Sequence, residues 1–154
     1  VWMALASFAS AQEPVVVELF TSQGCSSCPP ADKIVAELSE RDDIIALALH
    51  VDYWDYIGWQ DSFAHPHFTK RQKKYARVNG LESIYTPQFV HNGVKIIAGF
   101  RPSEVSNALN LPLPEVPPIT KTDEALIIMP LGSGGQFGVS RIWYTPQTNV
   151  HILK

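Results

Sequence analysis

The chain has 154 residues, with 12 basic and 15 acidic side chains and a formal net charge of −3. This balance argues against a nucleic-acid-binding protein, which concentrates basic side chains on one surface. Hydrophobic residues make up 45% of the sequence, which is enough for a globular core and argues against extended disorder.

The first eleven residues are small and apolar, and they end in Ala9-Ser10-Ala11. This order is typical of a secretory signal peptide, whose cleavage site has the A-x-A pattern. The run is too short for a transmembrane helix, which needs about 20 apolar residues. We therefore expect residues 1–11 to be the remnant of a signal peptide. The mature chain is then exported and has no integral membrane segment.

The next segments predict a β-α-β unit. The apolar, β-branched run at 15–20 predicts a strand that is covered on both faces. Beyond a turn, apolar residues at helical spacing predict a helix from residue 31 onward, and these residues are Ala31, Ile34, Val35 and Leu38. A second apolar run at 44–51 predicts a strand parallel to the first, because a helix connects the two.

The middle of the chain adds a helix, a hairpin and another helix. An aromatic, polar stretch at 52–68 precedes a basic helix at 69–78, whose charged side chains are expected to be a solvated face. Asn92-Gly93 lies between two β-rich runs and is the strongest short signal for a β-hairpin. The remaining predicted elements are strands at 84–91 and 94–98 and a helix at 103–109 with Ser103 as its N-cap.

The last quarter of the chain differs in composition. Residues 111–118 are rich in proline and predict an extended linker. Beyond it, runs at 124–129 and 138–144 predict strands, and a further strand begins at Asn149. We therefore expect an α/β domain at 12–110 and, at 119–154, part of a β-rich extension that is cut short.

Two cysteines, Cys25 and Cys28, are placed just before the first predicted helix. Unpaired N–H groups and the helix dipole at such a position stabilise a thiolate and lower its pKa. We expect Cys25 to be the exposed nucleophile that attacks a partner disulfide. Cys28, which is expected to be more buried, would resolve the resulting mixed disulfide.

Thr86-Pro87 begins a predicted inner strand, where proline is unusual. Proline can be accommodated there when the preceding peptide bond is cis. A cis proline beside the cysteines leaves neighbouring backbone groups free to pair with an extended substrate segment. The sequence therefore predicts a cis bond and assigns substrate binding to Thr86 and Pro87.

The order of these elements, with the Cys-Ser-Ser-Cys motif and Thr86-Pro87, resembles the thioredoxin superfamily. Residues 18–32 are similar to the signature of an exported bacterial family known as domain of unknown function 1223. This resemblance implies that the mature chain is periplasmic or secreted in a bacterium. The resemblance implies an α/β fold with a central mixed sheet flanked by helices and a C-terminal β-rich extension. It also implies thiol–disulfide exchange with the thiols or disulfides of exported proteins, and we expect no bound cofactor. The Ser-Ser pair between the cysteines differs from the Gly-Pro of thioredoxin and from the Pro-His of strong periplasmic oxidants, so the redox direction stays open.

Other interpretations of the same residues remain open. The two thiols could form a structural disulfide, or could bind copper together with one histidine. Zinc is not predicted, because the histidines lack the usual ligand spacing. A non-catalytic binding module would use the aromatic stretch as its contact surface. Glu18 could accept the proton of Cys28, but we favour a strand-end residue that reaches solvent, since buried acids are rare.

Overall fold

The structure is a computed structural model that describes residues 14–97 and 101–111, together with the backbone of 119–121 and 126–128. The chain divides into two compact units, Val1–Leu111 and Pro112–Lys154. The strands are β1 (Val15–Thr21), β2 (Ile44–His50), β3 (Gln88–His91), β4 (Lys95–Ile97), β5 (Ile119–Lys121) and β6 (Leu126–Ile128). The helices are α1 (Pro29–Ser39), α2 (Pro66–Val78) and α3 (Pro102–Leu109), and a 3-10 turn spans Asp55–Ile57.

The first unit contains a four-stranded mixed sheet in the order β2-β1-β3-β4. β1 pairs parallel with β2, whereas β3 runs antiparallel to both β1 and β4. The parallel pair follows from the intervening helix α1, which returns the chain to the same end of the sheet. The predicted hairpin is confirmed, since Asn92 and Gly93 both have positive φ values between β3 and β4.

Helices cover both faces of this sheet. Side chains alternate along β1, so each face presents its own set of residues to a helix. Val17 and Leu19 point to one face, where they pack with the apolar stripe of α1 and with α3. Glu18 and Phe20 occupy the other face, where Phe20 contacts Tyr75 of α2 with ring centroids 6.0 Å apart. The stripe predicted for α1 is confirmed, since all four of its apolar residues are buried.

Two predicted elements differ from the structure. The strand expected at 84–91 begins only at Gln88, because Pro87 has no N–H to donate to a neighbouring strand. The third helix begins at Pro102 with Arg101 as its N-cap, so the prediction of Ser103 as the cap was wrong. Proline is favoured at the first helical position, where its missing N–H has no intrahelical partner to lose.

The second unit is described only at two short strands. β5 and β6 pair antiparallel, and β6 lies within the strand predicted at 124–129. Four predictions concern segments outside the described residues. These are the signal-peptide remnant at 1–11, the linker apart from Leu111, the strand at 138–144 and the strand from Asn149. Among the described residues, no helix has the length and apolar character that a membrane crossing requires.

Candidate functional site

Three loops meet at one end of the four-stranded sheet. Thr21 at the end of β1 is paired with His50 at the end of β2, because these strands are parallel. Phe20 is paired with Gln88, the first residue of the antiparallel strand β3. The loop with the two cysteines, the segment that follows β2 and the Thr86-Pro87 loop therefore leave the sheet at the same edge.

Cys25 and Cys28 form a disulfide in the loop between β1 and α1, with their Cα atoms 5.4 Å apart. Cys25 N–H donates to the Ser22 carbonyl, and Cys28 N–H donates to the Cys25 carbonyl. Cys28 is the N-cap residue of α1, and its carbonyl accepts hydrogen bonds from the N–H groups of Ala31 and Asp32. The predicted cysteine pair is therefore brought together at a helix start, with Cys28 nearer to the helix.

The expectation that Cys25 is exposed was wrong for the disulfide-bonded protein. Cys25 is 4% exposed and Cys28 is 0% exposed. The segment after β2 lies over this loop, and a Cβ built on Gly24 would meet Ile57 and Trp54 at 3.1 and 3.2 Å. The predicted order of the two sulfurs holds, since the residual exposure belongs to Cys25.

The helix start also differs from the expectation in its hydrogen-bond donors. Pro29 and Pro30 occupy the first two positions of α1, and proline has no N–H group. The first turn therefore offers fewer free N–H groups to a thiolate than an ordinary helix start does. The helix dipole does not depend on these free N–H groups, so it still stabilises a thiolate at the start of α1.

The Thr86-Pro87 peptide bond is cis, as predicted, and Pro87 is buried. Trp54 connects this loop to the cysteine loop, because its indole N–H donates to Thr86 Oγ1 at 2.8 Å while its Cβ lies against Gly24. On the α2 side of the Thr86-Pro87 loop, Gln72 Nε2 donates to the Tyr85 carbonyl at 2.7 Å. Trp54 therefore links Thr86, one of the two predicted substrate-binding residues, to the cysteine loop.

Asp61 is a site residue that the sequence interpretation missed. It is 3% exposed, and its Oδ2 accepts a hydrogen bond from Gln23 N–H, two residues before Cys25, at 2.8 Å. His50 Nδ1 lies 2.6 Å from the same oxygen, and Phe63 N–H donates to Oδ1 at 2.9 Å. Asp61 therefore ties the cysteine loop to the end of β2. An aspartate in an aromatic stretch gives no local signal of these partners.

Replacing Asp61 by asparagine is expected to lower the free energy of unfolding at pH 7 by about 2 kcal/mol, because a charged acceptor with several donors is lost. Burial raises the pKa of Asp61, but the hydrogen bonds from Gln23, His50 and Phe63 outweigh burial and lower it below 3.8. The stabilisation is thus complete above about pH 4 and is lost as the pH falls through the lowered pKa. Urea unfolding from pH 7 to pH 3 checks this.

An exposed aspartate provides the control for that experiment. Asp42 lies in the turn before β2 and is exposed, so Asp42→Asn should change the unfolding free energy by less than about 0.5 kcal/mol. The difference between wild type and Asp61→Asn should shrink towards pH 3. A difference that stays constant with pH would contradict the assigned role of the ionised carboxylate.

Glu18 does not reach solvent, so the favoured interpretation of this residue was wrong. It is 2% exposed in the middle of β1, and Arg71 Nε and Nη2 donate to its two carboxylate oxygens at 2.6 Å each. Tyr75 OH donates to Glu18 Oε1 at 2.9 Å. Arg71 was predicted to lie on the solvated basic face of α2, but its guanidinium pairs with the buried Glu18 instead. Glu18 also lies on the sheet face opposite α1, which does not support its alternative role as proton acceptor for Cys28.

Metal ligation was considered for the cysteines together with a histidine. Within residues 14–97 and 101–111, no group of three or more His, Cys, Asp or Glu side chains is arranged to hold a metal ion. The two sulfurs are bonded to each other in this structure.

Comparisons with known proteins identify a family and a solved relative. Residues 16–119 match the family described as protein of unknown function, DUF1223. A crystal structure of a protein from Agrobacterium tumefaciens is 45% identical to this chain and has a TM-score of 0.60. The match covers 65% of this chain and 46% of that protein, so the chain spans less than half the length of its solved relative. No curated protein matches the sequence. Since the family model covers more than half of the residues, this chain belongs to the DUF1223 family.

Proposed function

We propose that this chain is an exported, thioredoxin-like protein that performs thiol–disulfide exchange through Cys25 and Cys28. The observation that supports this most strongly is the disulfide between two cysteines of a CxxC motif at the start of α1, beside the Thr86-Pro87 loop. A disulfide that closes so short a loop constrains the unfolded chain less than a long-range one would. Stabilisation alone is therefore a weak explanation for its presence.

The element order supports a thioredoxin-like topology as part of this proposal. The sheet order β2-β1-β3-β4, with α1 and α2 as successive connections and α3 after β4, is consistent with the thioredoxin-like fold that we propose. In such open sheets, ligands bind beyond the carboxyl ends of the parallel strands. The cysteine loop follows the carboxyl end of β1, which is where this proposal requires it.

The proposed exchange has two balanced steps. In the first, the Cys25 thiolate attacks one sulfur of a partner disulfide, so that a new S–S bond forms and the other partner sulfur leaves as a thiolate. In the second, the Cys28 thiolate attacks Cys25 Sγ, and the first partner sulfur leaves. Cys25 and Cys28 are thereby oxidised by two electrons, and the partner disulfide is reduced by two. The reverse sequence oxidises a partner dithiol.

The burial of the two cysteine residues supports these roles. Cys28 has no exposed surface, so a partner sulfur meets Cys25 first. Thr86 and Pro87 lie next to the cysteine loop through Trp54, and we propose that their backbone pairs with an extended segment of the partner. The partners are the thiols or disulfides of other exported proteins, and the exchange itself needs no cofactor.

Trapping the mixed disulfide tests this function. We expect Cys28→Ser to accumulate partners linked through Cys25, because the resolving thiol is missing, and to release them on reduction. Cys25→Ser/Cys28→Ser is the matched control and should capture nothing. Non-reducing electrophoresis of periplasmic extract or of a model disulfide substrate measures the adducts. If Cys28→Ser forms no adduct and the wild type neither reduces nor oxidises a substrate, the proposed function is wrong.

A further inference from the structure

The proposed exchange, on which this inference rests, requires Cys28 to lose a proton before it attacks Cys25. Cys28 has 0% exposure in the disulfide-bonded protein, so its sulfur is shielded from bulk water. A buried thiol ionises slowly unless a nearby group accepts its proton. The side chains around the start of α1 should therefore include a proton acceptor.

Asp32 is the carboxylate one helical turn beyond Cys28. Its N–H donates to the Cys28 carbonyl at 3.0 Å, which is the regular hydrogen bond between residues four apart in a helix. Side chains with this spacing lie on the same side of a helix, with their Cβ atoms about 5–6 Å apart. By this spacing we infer that the Asp32 side chain lies on the same side of α1 as that of Cys28, the N-cap residue one turn before it.

Thr21 fixes the orientation of this carboxylate. Its hydroxyl donates to Asp32 Oδ1 at 2.6 Å, and Thr21 itself is fully buried at the end of β1. The contact turns the Asp32 carboxylate towards the β1 end that leads into the cysteine loop. The second oxygen, Oδ2, has no hydrogen bond to another described side chain.

We propose that Asp32 accepts the proton of Cys28 in the resolving step and passes it to solvent. The Cys28 S–H bond breaks, the proton binds the Asp32 carboxylate, and the sulfur lone pair attacks Cys25 Sγ as the partner thiolate leaves. Asp32 as a residue is exposed, so the carboxylic acid that forms can return its proton to water. The cycle consumes no further reactant.

The charges around Asp32 suit this role. Desolvation raises the pKa of the Asp32 carboxyl, and the Thr21 hydrogen bond and the charge of His50 lower it by less. The negative charge of Asp61 acts in the same direction as desolvation. On α1 itself, Lys33 and Glu37 form an exposed pair with each other. Because it is raised, the pKa of the Asp32 carboxyl is closer to the pKa of a thiol, and this favours proton transfer between the two groups.

Two other acids near the sheet, Glu18 and Asp61, are unsuitable as the proton acceptor. Glu18 belongs to the face of β1 that packs against α2, and both of its oxygens accept hydrogen bonds from Arg71. Asp61 already has three hydrogen-bond partners, which hold it ionised. Asp32 combines the helical spacing from Cys28 with a fixed orientation and access to water.

The resolving step can be measured by itself with Ellman's reagent. Cys25 of the reduced protein forms a mixed disulfide with the reagent, and attack by Cys28 then releases a second coloured thiolate in stopped flow. We expect Asp32→Asn to slow this second release by about 100-fold or more, without a comparable effect on the first. Glu37→Gln, an exposed acid on the same helix, is the matched control and should leave both phases unchanged.

The pH profile separates this role from a structural one. Removing the hydroxyl in Thr21→Val takes away a hydrogen bond that lowers the pKa of Asp32, so the inflection in the resolving rate should move to higher pH. In Cys25→Ser, the further change Asp32→Asn should lower the pH at which the Cys28 thiol ionises, since a nearby negative charge is removed. Thiolate absorbance follows this titration without any need for activity.

The outcomes distinguish this inference from the proposed function. A wild type that forms the adduct and resolves it, with Asp32→Asn resolving at the same rate and with the same pH profile, overturns the role of Asp32 alone. An unchanged Cys28 titration in Asp32→Asn also overturns it. A wild type whose cysteines do not exchange with any disulfide overturns the proposed function, and this inference falls with it.

Discussion

Replacing Arg71 by methionine is expected to lower the free energy of unfolding by about 3 kcal/mol, because it leaves the Glu18 carboxylate buried without its ionic partner. Glu18 is 2% exposed and receives two hydrogen bonds from Arg71. Among the described side chains, only the Tyr75 hydroxyl would remain as a donor to it, and burial together with the charge of Glu18 raises the pKa of Tyr75 and keeps it protonated. Urea unfolding at pH 7 measures the loss.

Two further variants show whether the buried charge is the cause. Lys70→Met alters the neighbouring exposed position of α2 and should change the unfolding free energy by less than about 0.5 kcal/mol. Adding Glu18→Gln to Arg71→Met removes the uncompensated charge, so the double variant should regain part of the loss. If Arg71→Met lowers the free energy of unfolding by less than about 1 kcal/mol, Arg71 is not the required partner of a buried Glu18 carboxylate.

Replacing Cys25 by serine is expected to reduce disulfide exchange to the uncatalysed background, because a hydroxyl cannot form a disulfide. Ser27→Ala changes an exposed residue of the same loop and should retain exchange. The measurement is the rate of reduction or oxidation of a model disulfide peptide in a redox buffer. Exchange that survives in Cys25→Ser would show that this sulfur is not the attacking group.

The parts of the fold that depend on local periodicity were predictable. The strand at 15–20 follows from an apolar, β-branched run, and it matches β1 to within one residue. The stripe of α1 follows from helical spacing, and all of its residues are buried. Asn92-Gly93 specified its hairpin through the positive φ values that these two residues tolerate. Each of these signals lies within a few neighbouring residues.

The parts that depend on distant polar partners were not predictable. Glu18 and Arg71 are 53 residues apart, and neither the strand nor the basic helix indicates that the other is its partner. Helix α2 has no apolar stripe, since its buried residues include Thr69 and Gln72, so its packing face could not be identified by hydrophobicity. The low exposure of Cys25 likewise depends on the segment after β2, which lies over the cysteine loop. This segment has no periodic pattern from which its position could be predicted.

The cysteine pair was found from its spacing and context, but the residues that support it were found only in the structure. Trp54 and Asp61 both belong to the aromatic stretch that had no periodic pattern. They act through single hydrogen bonds to Thr86 and Gln23, which lie on different loops. Such contacts are set by the sheet pairing that brings the loops to one edge.

The reduction potential of the Cys25–Cys28 pair tests the central proposal most directly. Equilibration in dithiothreitol or glutathione buffers of graded potential, followed by alkylation of free thiols, gives its value. We expect a potential between about −270 and −120 mV, the range of proteins whose disulfides exchange in service. A potential below about −300 mV would contradict an exchanging pair, since disulfides of that stability resist reduction by cellular thiols and serve structure alone.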